Sequence, residues 1–225
     1  MQTLGCLTLL LFFLLLVLLP VAFGQVFAAA LLKLRLDPMT AMMVVIAMIV
    51  GGTINIPVKR IVRSEPLTVD PMAVFGLIGR WPKIQRLQRE TVIAVNVGGC
   101  LVPSALAIYE AVHLLADAPQ TVSGVGIAVL ANIGACYWLA RPLKGIGIAL
   151  PGLVPPVLAA SCAILLAPDH ATPVAFIAGV TGPLIGADLL HLRDIARIET
   201  GMASVGGAGT FDGIVLSGIV AAYLA

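Results

Sequence analysis

Seven apolar stretches punctuate this chain: Leu4 to Ala30, Met39 to Val58, Thr91 to Leu115, Val122 to Ala140, Gly145 to Ala167, Val174 to Leu190 and Gly201 to Leu224. A helix rises ~1.5 Å per residue, so about 20 apolar residues match the ~30 Å hydrocarbon core of a bilayer. Charged residues are 11% of the 225, whereas a soluble domain has about 25%. That leaves too little polar surface to face water all round, and lipid is the expected solvent. The sequence therefore predicts one all-α membrane domain over residues 1–225, with about seven transmembrane helices.

The first stretch begins without Lys or Arg in Met1 to Cys6 and outruns the ~7 to 15 apolar residues of a signal-peptide core, so it is expected to be retained as a span. Cleavage near Ala28 to Ala30 would leave six spans. If the connections alternate between two sides, Lys33 and Arg35 fall on one side. The other side collects Lys59, Arg60, Arg63, Arg80, Lys83, Arg86, Arg89, Arg141, Lys144, Arg193 and Arg197. Basic residues are retained in cytoplasmic loops, which sets the N-terminus inside and the C-terminus outside, in a plasma or inner membrane. A net charge of +2 gives no reason to expect a nucleic-acid partner. Cys6, Cys100, Cys136 and Cys162 lie in apolar runs without metal or redox spacing and are expected to pack as small hydrophobes.

The long connection, Lys59 to Glu90, mixes Val74, Phe75, Leu77, Ile78 and Trp81 with Arg80, Lys83, Arg86 and Arg89. That mixture suits either a solvated basic linker or a segment lying on an anionic leaflet. Its prolines, Pro66, Pro71 and Pro82, rule out a continuous helix, and a hairpin or a broken interfacial helix would both fit.

The chain also hints at an internal repeat. Leu19-Pro20 with Ala28-Ala29 matches Leu150-Pro151 with Ala159-Ala160 in spacing, and Asn55 and Asn96 fall opposite Asp188 and Asp212. Spans one to three would repeat as five to seven, both running the same way, with span four as linker. This 3+1+3 plan resembles that of the SWEET-type sugar transporters, whose halves are parallel repeats around a midplane site.

Polar groups inside spans need a reason, because an ionisable residue there costs about 2.5 to 3.5 kcal/mol. Glu110, Asp188 and Asp212 qualify, joined by Asn55 beside Gly51-Gly52 and Asn96 beside Gly98-Gly99. Glu110 and His113, three apart, are expected to pair or to reach the interface. Asp188, Asp212, Asn96 and Asn55 are the candidate ligand or ion site, toward the cytoplasmic side. The glycines of GMASVGGAGTFDG make a poor helix, and broken backbone at membrane depth persists only against protein or a water-filled cavity. GIGIALPGLVPP in span five carries further helix breakers. No metal site, cofactor motif or phosphate loop is read from the sequence, His170 and His191 included.

Two chemistries suit the cluster. In transport, Asp188 and Asp212 coordinate H⁺ or Na⁺ and a small polar solute within the lipid bilayer. In intramembrane proteolysis the same two acids share a proton and activate water, and GAGTFDGIVLSG loosely resembles the GxGD stretch of presenilin-type proteases. Against that likeness, Thr210 and Phe211 intervene before Asp212, and Gly186-Ala187-Asp188 replaces Tyr-Asp. A third reading is a membrane scaffold bridged by hydrogen bonds.

The segments GGTINIPV (51–58), TVIAVNVGGCLVP (91–103), GIGIALPGLVPP (145–156), GADLLHLRDI (186–195) and GGAGTFDGI (206–214) resemble a family of prokaryotic integral membrane proteins designated only as a domain of unknown function. The likeness runs from about Met39 to the C-terminus. It implies a membrane protein class and assigns no catalytic residue.

Overall fold

In the computed structural model, the residues described are 24–65, 87–143, 147–195 and 201–225, with Leu14 and Leu18. Most of the expected first span therefore lies outside the described residues, as do Lys144, Arg197 and the 66–86 stretch with Arg80, Lys83, Arg86 and the Trp81 cluster.

Seven helices of ten residues or more occur among the described residues: α1 (Gly24–Lys33), α2 (Pro38–Gly51), α3 (Val97–Asp117), α4 (Pro119–Leu139), α5 (Val154–Leu166), α6 (Pro168–Leu189) and α7 (Gly213–Leu224). Three of them, α3, α4 and α6, have 21 or 22 residues and are long and apolar enough to cross a membrane. Their outward faces are apolar, with Ile108, Val112 and Leu115 on α3 and Ile127 and Leu130 on α4 exposed. The exposed face of α2 adds Met39, Met42, Met43, Ile46, Ile49 and Val50. Monomeric soluble proteins rarely present so continuous an apolar surface.

The all-α expectation needs correction. Strand β1 (Asn55–Glu65) pairs antiparallel with β2 (Leu87–Asn96), and β2 pairs parallel with β5 (Met202–Val205). A second small sheet joins β3 (Arg141–Leu143) to β4 (Gly147–Ala149). Expected spans two, three, five and seven are thus each part helix and part strand or turn. The cause lies in composition: INIPVKRIV and TVIAV are β-branched runs, and an apolar run cannot by itself distinguish helix from strand. Helix α2 stops at Gly51 because the chain turns at Gly52-Thr53, with Thr53 Oγ1 donating to the Val50 carbonyl at 2.7 Å. The long connection is hairpin-like at its base, since its arms are β1 and β2.

The connections segregate by end. At the short-loop end Arg35 forms an ion pair with Asp117, and Lys33 Nζ donates to the Tyr223 carbonyl at 2.9 Å. At the other end lie both sheets and the N-termini of α3, α5 and α7. Helix α6 is central, with every residue from Pro173 to Val180 buried. One buried cluster links it to α1, α2, α3 and α7 through Leu31, Met48, Leu106, Phe176 and Ile219. A second is built mainly of alanines, including Ala128, Ala159, Ala163, Ala175 and Ala221, and holds α4, α5, α6 and α7 together. Small side chains permit these helices to approach closely, as packing in lipid favours. The four cysteines read as packing residues divide accordingly: Cys100 and Cys136 are buried, Cys162 is half-buried, all three are free, and Cys6 lies outside the described residues.

A candidate acidic cavity at the sheet end

Two close backbone crossings build the floor of the site. A Cβ placed on Gly98 would fall 2.0 Å from the Met48 carbonyl and 2.3 Å from the Gly52 nitrogen, so only glycine lets α3 begin against the end of α2. The second crossing sets Gly99 against Gly206, where a Cβ on Gly99 would lie 2.0 Å from the Gly206 carbonyl. Gly206 has φ +70°, a left-handed conformation that an L side chain resists.

Asn96 ties this crossing together. With extended backbone (φ −79°, ψ 136°) it caps α3, its Oδ1 accepting from the Gly99 amide at 2.7 Å. Its Nδ2 donates to the Gly52 carbonyl at 2.8 Å and to Asn55 Oδ1 at 3.1 Å. Asn55 Oδ1 also accepts from Ser204 Oγ at 2.6 Å, which links the β1 entry to β5. Asn96 is fully buried, so its polar atoms hold the frame.

Asp212 occupies the corresponding place on α7. Its backbone is also extended (φ −71°, ψ 149°), and its Oδ1 and Oδ2 accept from the Ile214 and Ala208 amides at 3.0 and 3.3 Å. The stretch before it is unwound, as its glycines led one to expect, and Asp212 sits at the start of the helix. Asp188 comes from the end of α6, where Gly182–Leu189 widens into π-helical geometry. Such departures from the α ladder are frequent at functional sites. Asp188 lies beside the Gly206 main chain and within electrostatic reach of Asp212.

Asn55, Asp188, Asp212 and Ser204 line one cavity of about 430 Å³. Ile148, Ile195 and Val205 supply apolar wall, and exposed Met202, Gly207 and Ala208 stand at the rim. Of the four residues singled out in the sequence, three face the cavity and Asn96 lies behind Asn55. Among the described lining residues there are two carboxylates and no Lys, Arg or His. An arrangement of oxygen acceptors without a basic partner suits a cation or a hydrogen-bond donor.

Sequence reasoning missed Ser204 and the apolar wall. Ser204 stood in the same broken stretch as Asp212, which was its only signal, and Ile148 had been placed inside a helix. The expected pairing of Glu110 with His113 is also corrected. Glu110 is buried, whereas the His113 ring sits edge-on to Tyr109 with centroids 4.4 Å apart. His191 stacks on Tyr137 at 4.9 Å, with Nδ1 3.1 Å from the Gly186 carbonyl. No cluster of three metal-ligating side chains occurs among the described residues.

Neither the curated proteins nor the solved structures contain a match to this chain. One family profile, described as "Protein of unknown function (DUF1614)", matches residues 49–224, beginning ten residues after the resemblance read from the sequence. That match takes in β1, the crossing glycines Gly52, Gly98, Gly99 and Gly206 and every polar residue of the cavity, and by it the chain belongs to the DUF1614 family.

Proposed function

We propose that this chain is a multi-pass plasma or inner-membrane protein that moves a cation, H⁺ or Na⁺, with a small polar solute through the Asp188–Asp212 cavity. The carrying observation is the lining itself: among its described residues, two carboxylates, an amide and a hydroxyl, with no basic side chain, at one end of an apolar bundle. Transporter sites use discontinuous helices in this way, since helix ends and unwound backbone offer groups that an unbroken helix keeps to itself. Helices α2, α5 and α7 are short, and each gives way to strand or turn at the sheet end.

The basic surplus at that end supports a cytoplasmic orientation, with the N-terminus inside and the C-terminus outside. A 3+1+3 parallel repeat is supported by two correspondences. Asn96 and Asp212 cap the third helix of each half, and the strands before them, β2 and β5, run parallel as neighbours. One half then supplies neutral amides and the other carboxylates. Transport is favoured over proteolysis because Asp212 has both oxygens on main-chain amides, whereas a protease dyad needs its carboxyls free to share a proton.

The test uses purified protein in sealed vesicles, with exchange of H⁺ followed by a trapped pH dye and of Na⁺ by radiotracer. Asp188→Asn should abolish the exchange shown by the native chain. Equal flux in native, Asp188→Asn and protein-free vesicles would leave the scaffold reading in place.

A further inference from the structure

The two carboxylates of the cavity stand at opposite kinds of helix end. Asp212 starts α7, and its oxygens accept from the Ile214 and Ala208 amides. The chain's own carboxylate thus fills the helix N-terminus where an anionic solute would otherwise bind. Asp188 lies in the last turn of α6, and no basic side chain shares that turn. A carboxylate is unfavourable at the negative end of a helix dipole, and a bound cation relieves both. His191, just past that end, is engaged with the Gly186 carbonyl and the Tyr137 ring.

Hydrogen-bonding capacity points the same way. Ser204 gives its hydroxyl hydrogen to Asn55 Oδ1 at 2.6 Å, which leaves the serine oxygen as an acceptor. Asn55 Oδ1 already accepts from Ser204 and from Asn96 Nδ2. Among the described lining residues, Asn55 Nδ2 is then the one side-chain donor left, against two carboxylates and the Ser204 oxygen. A ligand here must bring the donors itself.

The volume, about 430 Å³, falls within the ~300 to 1,000 Å³ of small-molecule sites, with room for an organic body beside the charge. A wall for that body is already packed: Ile148, Ile195 and Ala203 belong to one apolar cluster with Ile61 and Ile93. The exposed rim at Met202, Gly207 and Ala208 gives entry from water at the sheet end.

We propose that the organic ligand of the cavity is a monocation, a protonated amine on an apolar body, with its ammonium on Asp188 and its body against Ile148 and Ile195. The ammonium N–H groups donate to the Asp188 carboxylate and the Ser204 oxygen. The Na⁺ or H⁺ carried with it balances Asp212, and for this second cation the inference rests on the transport reading above.

The experiment is isothermal titration calorimetry of the purified full chain in detergent at pH 7, with probes of one shape and different charge. Phenethylammonium, 2-phenylethanol and phenylacetate share an aromatic body, and methylammonium has the charge without the body. Phenethylammonium should bind saturably, and the other three at least about tenfold more weakly, as loss of a charge pair or of apolar burial implies. Asp188→Asn should reduce phenethylammonium to the level of the alcohol. Should that variant fail to fold, the four probes on the native chain still decide. Equal binding of the alcohol or the acid, or amine binding unchanged in Asp188→Asn, overturns the proposal. Na⁺ or H⁺ exchange in vesicles without amine binding overturns it too and leaves the transport reading standing. Amine binding as expected, without exchange, upholds the amine site and counts against transport alone.

Discussion

Asn96 and Asp212 do the same mechanical job with different charge, and this separates fold from function experimentally. Asn caps the Ile214 amide about as well as Asp but its amide nitrogen cannot accept from Ala208, so Asp212→Asn should lose up to about 1 kcal/mol and Asp212→Ala about 2 kcal/mol. A cation-dependent signal lost in Asp212→Asn then reports charge. Asn96→Ala is harsher, because it strands the Gly99 amide and the Gly52 carbonyl in a buried place. A loss of about 2 to 3 kcal/mol is expected in unfolding from detergent. Asp37, outside the spans, caps α2 by accepting from Thr40 Oγ1 and from the Thr40 and Met39 amides, and these bonds, the Thr40 hydroxyl first, hold its carboxyl below the ordinary value. A lowered folded value means that this stabilisation is present above the unfolded carboxyl range and is lost as pH falls through the folded one. Thermal unfolding should therefore weaken in acid less steeply in Asp37→Asn than in the native chain. At this scale the sequence was informative about Asp188, Asp212, Asn55 and Asn96, since burying a polar group in lipid needs a reason. It was silent on Ser204, because a serine in a glycine-rich stretch carries no such cost.

At the scale of elements, the glycines sort by what stands opposite them. Gly98 and Gly206 meet backbone, whereas Gly126 and Gly134 on α4 meet nothing within 4 Å. Gly98→Ala should force α2 and α3 apart and cost at least about 3 kcal/mol, shown by a fall in the unfolding midpoint. Gly134→Ala should be neutral or stabilise α4 by up to ~1 kcal/mol, as helix propensity implies. Helix α4 was legible to within three residues at its start and one at its end, because nothing in Val122 to Ala140 competes with helix. The composite segments were not. Thr91 to Asn96 and Val97 to Leu115 are equally apolar, and the change from strand to helix is fixed by the Asn96 cap and the pairing of β2 with β1 and β5. The cap is local, Asn96 to Gly99, but the pairings reach residues at least 22 positions away, which local periodicity does not register.

At the scale of the molecule, alternation of ends was legible because loops and apolar runs simply take turns. The ion pair of Arg35 with Asp117 and the bond of Lys33 to Tyr223 put two loops and the chain end together as that alternation requires. The sheet was not legible, since its third strand is contributed by a separate segment after α6. If the basic end faces the cytoplasm, alkaline phosphatase fused after Ala225 should be active in cells, and phosphatase inserted after Pro142 should be inactive. The most direct test of cation binding by the acidic cavity is charge displacement on a solid-supported membrane carrying the reconstituted chain, measured on jumps of Na⁺ concentration and of pH. The native chain should give a saturable transient for one of the two jumps, and Asp188→Asn and Asp212→Asn should abolish it with the fold intact. A native signal indistinguishable from protein-free vesicles under both jumps would contradict a cation site at Asp188 and Asp212.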